Sequence, residues 1–358
     1  MAIQACPHYS QFYLMYAKDK WVVDGDTDRA KEILSDGLEL NPQTEDLWFA
    51  LAKLQWKTGE RDECIQTFIK CRDTVIEPTA RAWYKQVTLE RVLEHYSEAL
   101  DLVDEGLQSH PSEPKLYLQM GEVYESLKQW DQAKDAYEMG TKACKSSTLL
   151  WIHLARVYNE RLGKKKIKAR STLEEAMALN PKDDLLYLER LDLEGRGTEA
   201  AQVILSKGLK EIPKSAILWA ERIRSSRPQQ RKNLYSLALN NTNDNPIVIL
   251  AVARDLWTRG KLPKAKQFFD ACISKDPDFG DAYVYYHWFL EKHGEIEEVE
   301  SLEKQFIDND PHHGPLWSPV LKNIPNIDKD SLHLLRAAAD DVSGETTNGS
   351  ATKSTDAV

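Results

Sequence analysis

Five cysteines and nine histidines are the side chains of this sequence best suited to metal or nucleophilic chemistry, and their spacing supports neither. The cysteines are odd in number and show no paired CxxC spacing, which fits a reducing compartment. Cys64 and Cys71 lie seven residues apart, two helical turns along one face, where thiols act as small core residues. His287 and His293 are six apart, off the spacing that brings two ligands to one helical face. His312 and His313 sit beside Pro311 in what reads as a loop. There is no Gly-rich phosphate loop, no HExxH and no GxSxG; "GKLPK" at 260 and "GKKK" at 163 lack the preceding glycine and read as turns. The expectation is a protein without catalytic residues, metal or cofactor, and without a small-molecule substrate.

Two basic clusters remain. One lies in "ILWAERIRSSRPQQRK" at 217–232, with Arg222, Arg224, Arg227, Arg231 and Lys232; the other is "RLGKKKIKAR", with Arg161, Lys164, Lys165, Lys166, Lys168 and Arg170. Both are candidates for local contact with RNA phosphate or an acidic partner. Turns also collect charge for solubility alone, and no aromatic residue within the second cluster offers a stacking platform. The chain carries a formal net charge of −10, which argues against a whole surface that grips nucleic acid. With 42% hydrophobic and 29% charged residues and no long apolar run, the composition is that of a folded protein without a membrane span. No secretory signal is evident at the start.

What positions these residues is an internal period. Tyr13, Trp48, Trp83, Tyr117, Trp151, Tyr187, Trp219, Leu250, Tyr283 and Trp317 follow one another at intervals of 31 to 36 residues. A proline precedes most of them by five or six residues, at Pro42, Pro78, Pro111, Pro181, Pro213, Pro277 and Pro311, and Pro246 precedes Leu250 by four. Ala30, Ala99, Ala169, Ala201 and Ala265 each stand twelve residues before such a proline, small enough to let two helices approach. Between the markers the apolar spacing is helical, as in "LWFALAKLQW" and "LWIHLARVYNERL".

Each unit therefore reads as a helical hairpin, broken by proline. One hairpin cannot bury its apolar face alone, so the predicted fold is all-α, an α-α superhelix of about nine hairpins. The expected boundaries are a repeat domain over 1–326, a terminal helical segment over 327–339 and a disordered tail over 340–358. The first helices are expected to line a concave face that binds segments of partner proteins. The residues assigned to it are Phe49, Lys53, Tyr84, Leu118, Glu122, Ile152, Arg156, Arg224 and Trp288. That row is mainly apolar with mixed charge, unlike a carboxylate clamp of converging Lys, Arg and Asn.

A hairpin of about 34 residues with Trp or Tyr early in its first helix, Gly or Ala four residues on (Ala52, Gly121, Ala155) and Ala in its second resembles the tetratricopeptide repeat. The "LYLERLDLE" and "LWAER" versions look like its RNA-processing variant, the half-a-TPR or HAT repeat. More specifically, residues 217–326, with "RPQQRK" after an LWAE helix, resemble the C-terminal end of the pre-mRNA-processing factor six family. The resemblance implies a nuclear, non-catalytic scaffold whose repeats bridge the proteins and RNA particles of the spliceosomal tri-snRNP, with direct snRNA contact local or absent. It also implies that the arginines of 222–231 shape a repeat junction first and meet partners second. Members of that family carry a long region before the repeats, whereas Met1 stands close to a first helix here, as in a fragment, a truncated gene model or a divergent copy. The alternatives are a repeat scaffold of another process, such as RNA 3′-end maturation or a chaperone adaptor, and an enzyme of unrecognised type.

Overall fold

The computed structural model describes residues 3, 6–163, 165–323, 326 and 329–347. By their contacts the residues divide into two units, Met1–Thr172 and Leu173–Val358, where the sequence reads one repeat domain over 1–326. Stacked hairpins touch only their neighbours, so a long run of them has no contacts that hold it together end to end. The first unit holds Ser10–Val22 with Thr27–Leu40, Glu45–Lys57 with Arg61–Thr74, Arg81–Val92 with Tyr96–Ser109, Pro114–Ser126 with Trp130–Ala143, and Thr148–Arg156. The second holds Asp184–Glu194 with Glu199–Glu211, Ala216–Ser225 with Pro228–Thr242, Pro246–Thr258 with Leu262–Lys275, and Gly280–His293 with Ile296–Asn309. The helix Lys166–Leu179, next after Thr148–Arg156 in the chain, contains the division. Among the described residues this makes nine hairpins, all of them helical.

The linkage between proline and ring has a direct cause. Trp48 Nε1 donates to the Pro42 carbonyl at 2.9 Å, Trp219 Nε1 to Pro213 at 2.8 Å and Trp317 Nε1 to Pro311 at 2.7 Å. The hydroxyls of Tyr117 and Tyr187 donate to Pro111 and Pro181 at 2.9 and 3.2 Å. Each bond reaches back six residues, so the polar tip of a buried ring closes the loop that the proline opens. Trp83 stands only five residues after Pro78, and its Nε1 has no partner among the described residues. There His110 packs edge-on against the Trp83 ring and its Nε2 takes up the Pro78 carbonyl at 3.0 Å.

Small residues in the second helices receive these rings. Ala30, Ala99, Ala169, Ala201 and Ala265 are buried. Seven residues after an alanine, Gly37, Gly106, Gly140 and Gly208 lie against Tyr13, Trp83, Tyr117 and Tyr187, so close that a Cβ would come within about 3 Å of each of these side chains. Cys64 and Cys71 occupy the same two places in their hairpin. Both thiols are buried and pushed up to about 12 by burial, which makes them packing groups rather than nucleophiles.

One π turn, Val157–Arg161, follows the helix Thr148–Arg156, and Lys165 N donates to Tyr158 O at 2.9 Å. At the other end, Trp317–Lys322 is a first helix cut to six residues. Trp317 is fully buried against Gly280 and Phe306. The last helix, Ser331–Thr347, runs past Ala339 into the stretch expected to be disordered. Val342 continues the three- and four-residue spacing of Leu334, Leu335, Ala338 and Ala339, and all five are buried with the last hairpins. Residues 348–358 of the expected tail lie outside the described residues.

Candidate functional site

In the second unit, successive first helices line a groove of about 560 Å³. Its floor is apolar, formed by Leu188, Ile217, Ala220, Ile247, Leu250 and Ala251. Leu188, Ala220 and Ala251 each follow a repeat anchor by one residue, and of the residues assigned to the concave face Arg224 alone lines this groove. Over the floor stand four arginines, Arg196, Arg224, Arg231 and Arg254, with three carboxylates, Glu221, Asp255 and Asp281.

Most of these charges are committed to one another. Glu221 takes Arg196 at 3.2 Å and also Arg224, and burial raises its pKa above the ordinary carboxylate value, with Arg196 opposing. Asp255 takes Arg231, the hydroxyl of Tyr235, and Arg259 at 3.6 Å. Burial and the bond to Asp255 push the Tyr235 phenol up to about 12. Asp281 accepts from the backbone N–H of Leu316 at 3.0 Å and of Trp317 at 2.8 Å. Its burial outweighs those bonds and lifts it to about 6. Arg254 differs from the other three. Its guanidinium carbon lies 3.8 Å from the centre of the Tyr285 ring, and among the described residues no carboxylate is in ion-pair contact with it, though its charge helps to hold Glu221 and Asp281 ionised.

The expected partner-binding row divides on inspection. Tyr84 and Leu118 are half-buried and Lys53 is exposed, so their surfaces are available; Arg156 is half-buried. Glu122 pairs with Arg91. Phe49 is buried under Arg81 and Lys85, whose charges lie 4.8 and 5.7 Å from its ring, and Ile152 is buried as well. Trp288 is not a groove residue. It is buried against Trp257 at 4.4 Å, with Lys292 over its ring, in the core cluster that also includes residues of Ser331–Thr347. At these three positions the side chain one or five residues after the anchor is buried instead of facing solvent.

The cluster at 222–232 is largely structural. Arg231 donates to the Ser226 carbonyl at 2.7 Å and the Arg224 carbonyl at 3.2 Å besides pairing with Asp255, and Arg222 donates to Gln202 at 2.7 Å. Arg227 is exposed. In the other cluster Arg161, Lys165, Lys166 and Lys168 are exposed, with Arg161 over the Trp130 ring at 4.8 Å and Lys168 over Tyr158 at 5.1 Å. Lys164 lies outside the described residues. The histidines have other uses. His287 Nε2 meets Glu303 at 2.9 Å, and Glu303 also holds Arg336 through two bonds of 2.7 Å. Those bonds, Arg336 first, hold the Glu303 carboxyl down to about 2. His293 accepts from Trp257 Nε1 at 2.8 Å. Arg196, Arg254 and Tyr285 escaped the sequence reading, since no single row contains all three.

These helical hairpins, with rings and small residues in fixed phase, define a tetratricopeptide-type repeat chain, and tetratricopeptide repeat models match residues 45–71 and 114–157. Pre-mRNA-splicing factor 6 of Saccharomyces cerevisiae is 26% identical over 87% of this chain and 36% of its own length. Pre-mRNA-splicing factor prp1 of Schizosaccharomyces pombe is 32% identical over 66% of the chain and 26% of its own length. Pre-mRNA-processing factor 6 of Homo sapiens is 36% identical over 32% of the chain and 12% of its own length. The chain is a homologue of these splicing factors, as the residues of its last repeats suggest. It spans about a third or less of the length of the curated relatives it matches.

Proposed function

We propose that this chain is a non-catalytic scaffold of pre-mRNA splicing that bridges proteins and small nuclear ribonucleoproteins as the tri-snRNP assembles in the nucleus. The observation that carries the reading is the groove of the second unit, an apolar floor under mixed charge in a chain homologous to splicing factors 6 and prp1. Surfaces of this kind suit peptide segments, because apolar contacts supply affinity while paired charges set register. A uniformly basic track for phosphate would read differently. Partners are therefore spliceosomal proteins, with RNA contact confined to the exposed basic turn at 161–168. A repeat scaffold of 3′-end maturation or a chaperone adaptor has no observation in its favour.

The test is recovery from nuclear extract on the tagged chain, read by mass spectrometry and RNA sequencing. Tri-snRNP proteins with small nuclear RNAs are expected. Chaperones or cleavage factors in their place would overturn the assignment.

A further inference from the structure

We infer that the groove of the second unit binds a short acidic peptide segment, one internal Asp or Glu of which pairs with Arg254 while apolar neighbours rest on Ile217, Ala220 and Ala251. This deepens the scaffold reading by naming the chemistry of what the groove receives. Charge complementarity carries it. Of the four arginines, Arg196 and Arg224 are held by Glu221, and Arg231 is held by Asp255. The third carboxylate, Asp281, is occupied by two backbone N–H groups. Arg254 is thus the one arginine of the groove with no carboxylate in ion-pair contact among the described residues, although its charge also acts on Glu221 and Asp281, and its guanidinium sits over the Tyr285 ring.

Stacking uses the face of a guanidinium and leaves its in-plane donors for a planar, bidentate acceptor, which a carboxylate is. A phosphate polymer needs several free cations in line, and this groove offers one. The carboxylate belongs to a side chain within the segment and not to a chain end. Leu188, Ile217 and Ala220 lie on the helices before Arg254, and Phe279 and Leu316 after it, so apolar floor continues on both sides.

The experiment selects binders from a phage-displayed library of random peptides on the purified full chain. Fluorescence anisotropy then follows the selected synthetic peptide, its Asp→Asn or Glu→Gln counterpart, and a poly(U) oligonucleotide. The expected peptides share one acidic residue between small apolar ones. Amide replacement in the peptide, or Arg254→Gln in the protein, should weaken binding by about tenfold or more. Leu250→Trp, which fills the floor, should abolish it. Ala251→Glu, one turn from Arg254, should do the same and serves if Arg254→Gln melts early by circular dichroism. Peptides without a shared acid, no selected peptide at all, unchanged binding to Arg254→Gln, or competition by poly(U) would each overturn the inference. None of these outcomes bears on recovery of tri-snRNP proteins, so the scaffold reading stands or falls separately.

Discussion

Residues 161–170 crowd six basic side chains around the turn of one hairpin, and residues 222–232 crowd five around the turn of another. In the second stretch Arg231 reaches Asp255 on the following first helix and two carbonyls of its own turn, and Arg222 reaches Gln202. In the first, Lys165, Lys166 and Lys168 stay exposed, and two of the cluster's cations lie over rings at 4.8 and 5.1 Å. Basic density in a turn therefore says little about purpose. What decides is whether the next helix presents a buried carboxylate, because an uncompensated buried Asp is costly and draws in the nearest arginine. The exposed lysines of the other stretch stay in water, where interactions between charges are worth little to the fold.

The sharpest way to break this contrast is Arg231→Ala. It leaves Asp255 buried with Tyr235 and the more distant Arg259, and should destabilise the second unit by about 3 kcal/mol, read as a shift in the urea midpoint. Adding Asp255→Asn should recover part of the loss, and a neutral single mutant would dissolve the distinction. Arg222→Ala removes one hydrogen bond to Gln202 and should cost about 1 kcal/mol in the same measurement.

Glu221 gives a pH test. Its folded pKa lies above the ordinary value of 4.5, so its charge costs stability at neutral pH. That cost is relieved as pH falls through the folded value towards 4.5. Wild type should therefore gain on Glu221→Gln between pH 7 and 4.5; equal slopes would contradict the burial of that carboxylate. The smallest effect belongs to the other cluster. Lys165→Gln with Lys166→Gln and Lys168→Gln should stay within about 0.5 kcal/mol of wild type by thermal melting. A large drop would mean that those lysines are structural after all.

How legible each feature is in the sequence follows from how local it is. At five anchors the proline and the ring that bonds it are six residues apart, so their linked phases show in the linear pattern, and the spacing of the anchors carries that pattern through the other hairpins. Arg231 and Asp255 are 24 residues apart and Arg254 and Tyr285 are 31 apart, pairs that become neighbours only when hairpins stack. Trp288 reads as an open-face residue because nothing in its own repeat reveals that Trp257, from the preceding hairpin, packs against it. The helix Ser331–Thr347 reads as ending at Ala339, since among "DDVSGETT" only Val342 keeps the apolar spacing. The glycines at 37, 106, 140 and 208 were legible in principle, each seven residues past a small residue, Ala30, Ala99, Ala133 and Ala201.

Position 250 has one consequence more. Nine of the ten repeat anchors are aromatic, and the exception, Leu250, lies in the floor of the groove. An aliphatic side chain has no polar tip to reach back to a carbonyl and less bulk than an indole. If the groove receives a peptide as proposed, the place where the periodic array omits a ring is where its side chain enters, and an irregularity in the repeat serves as the address.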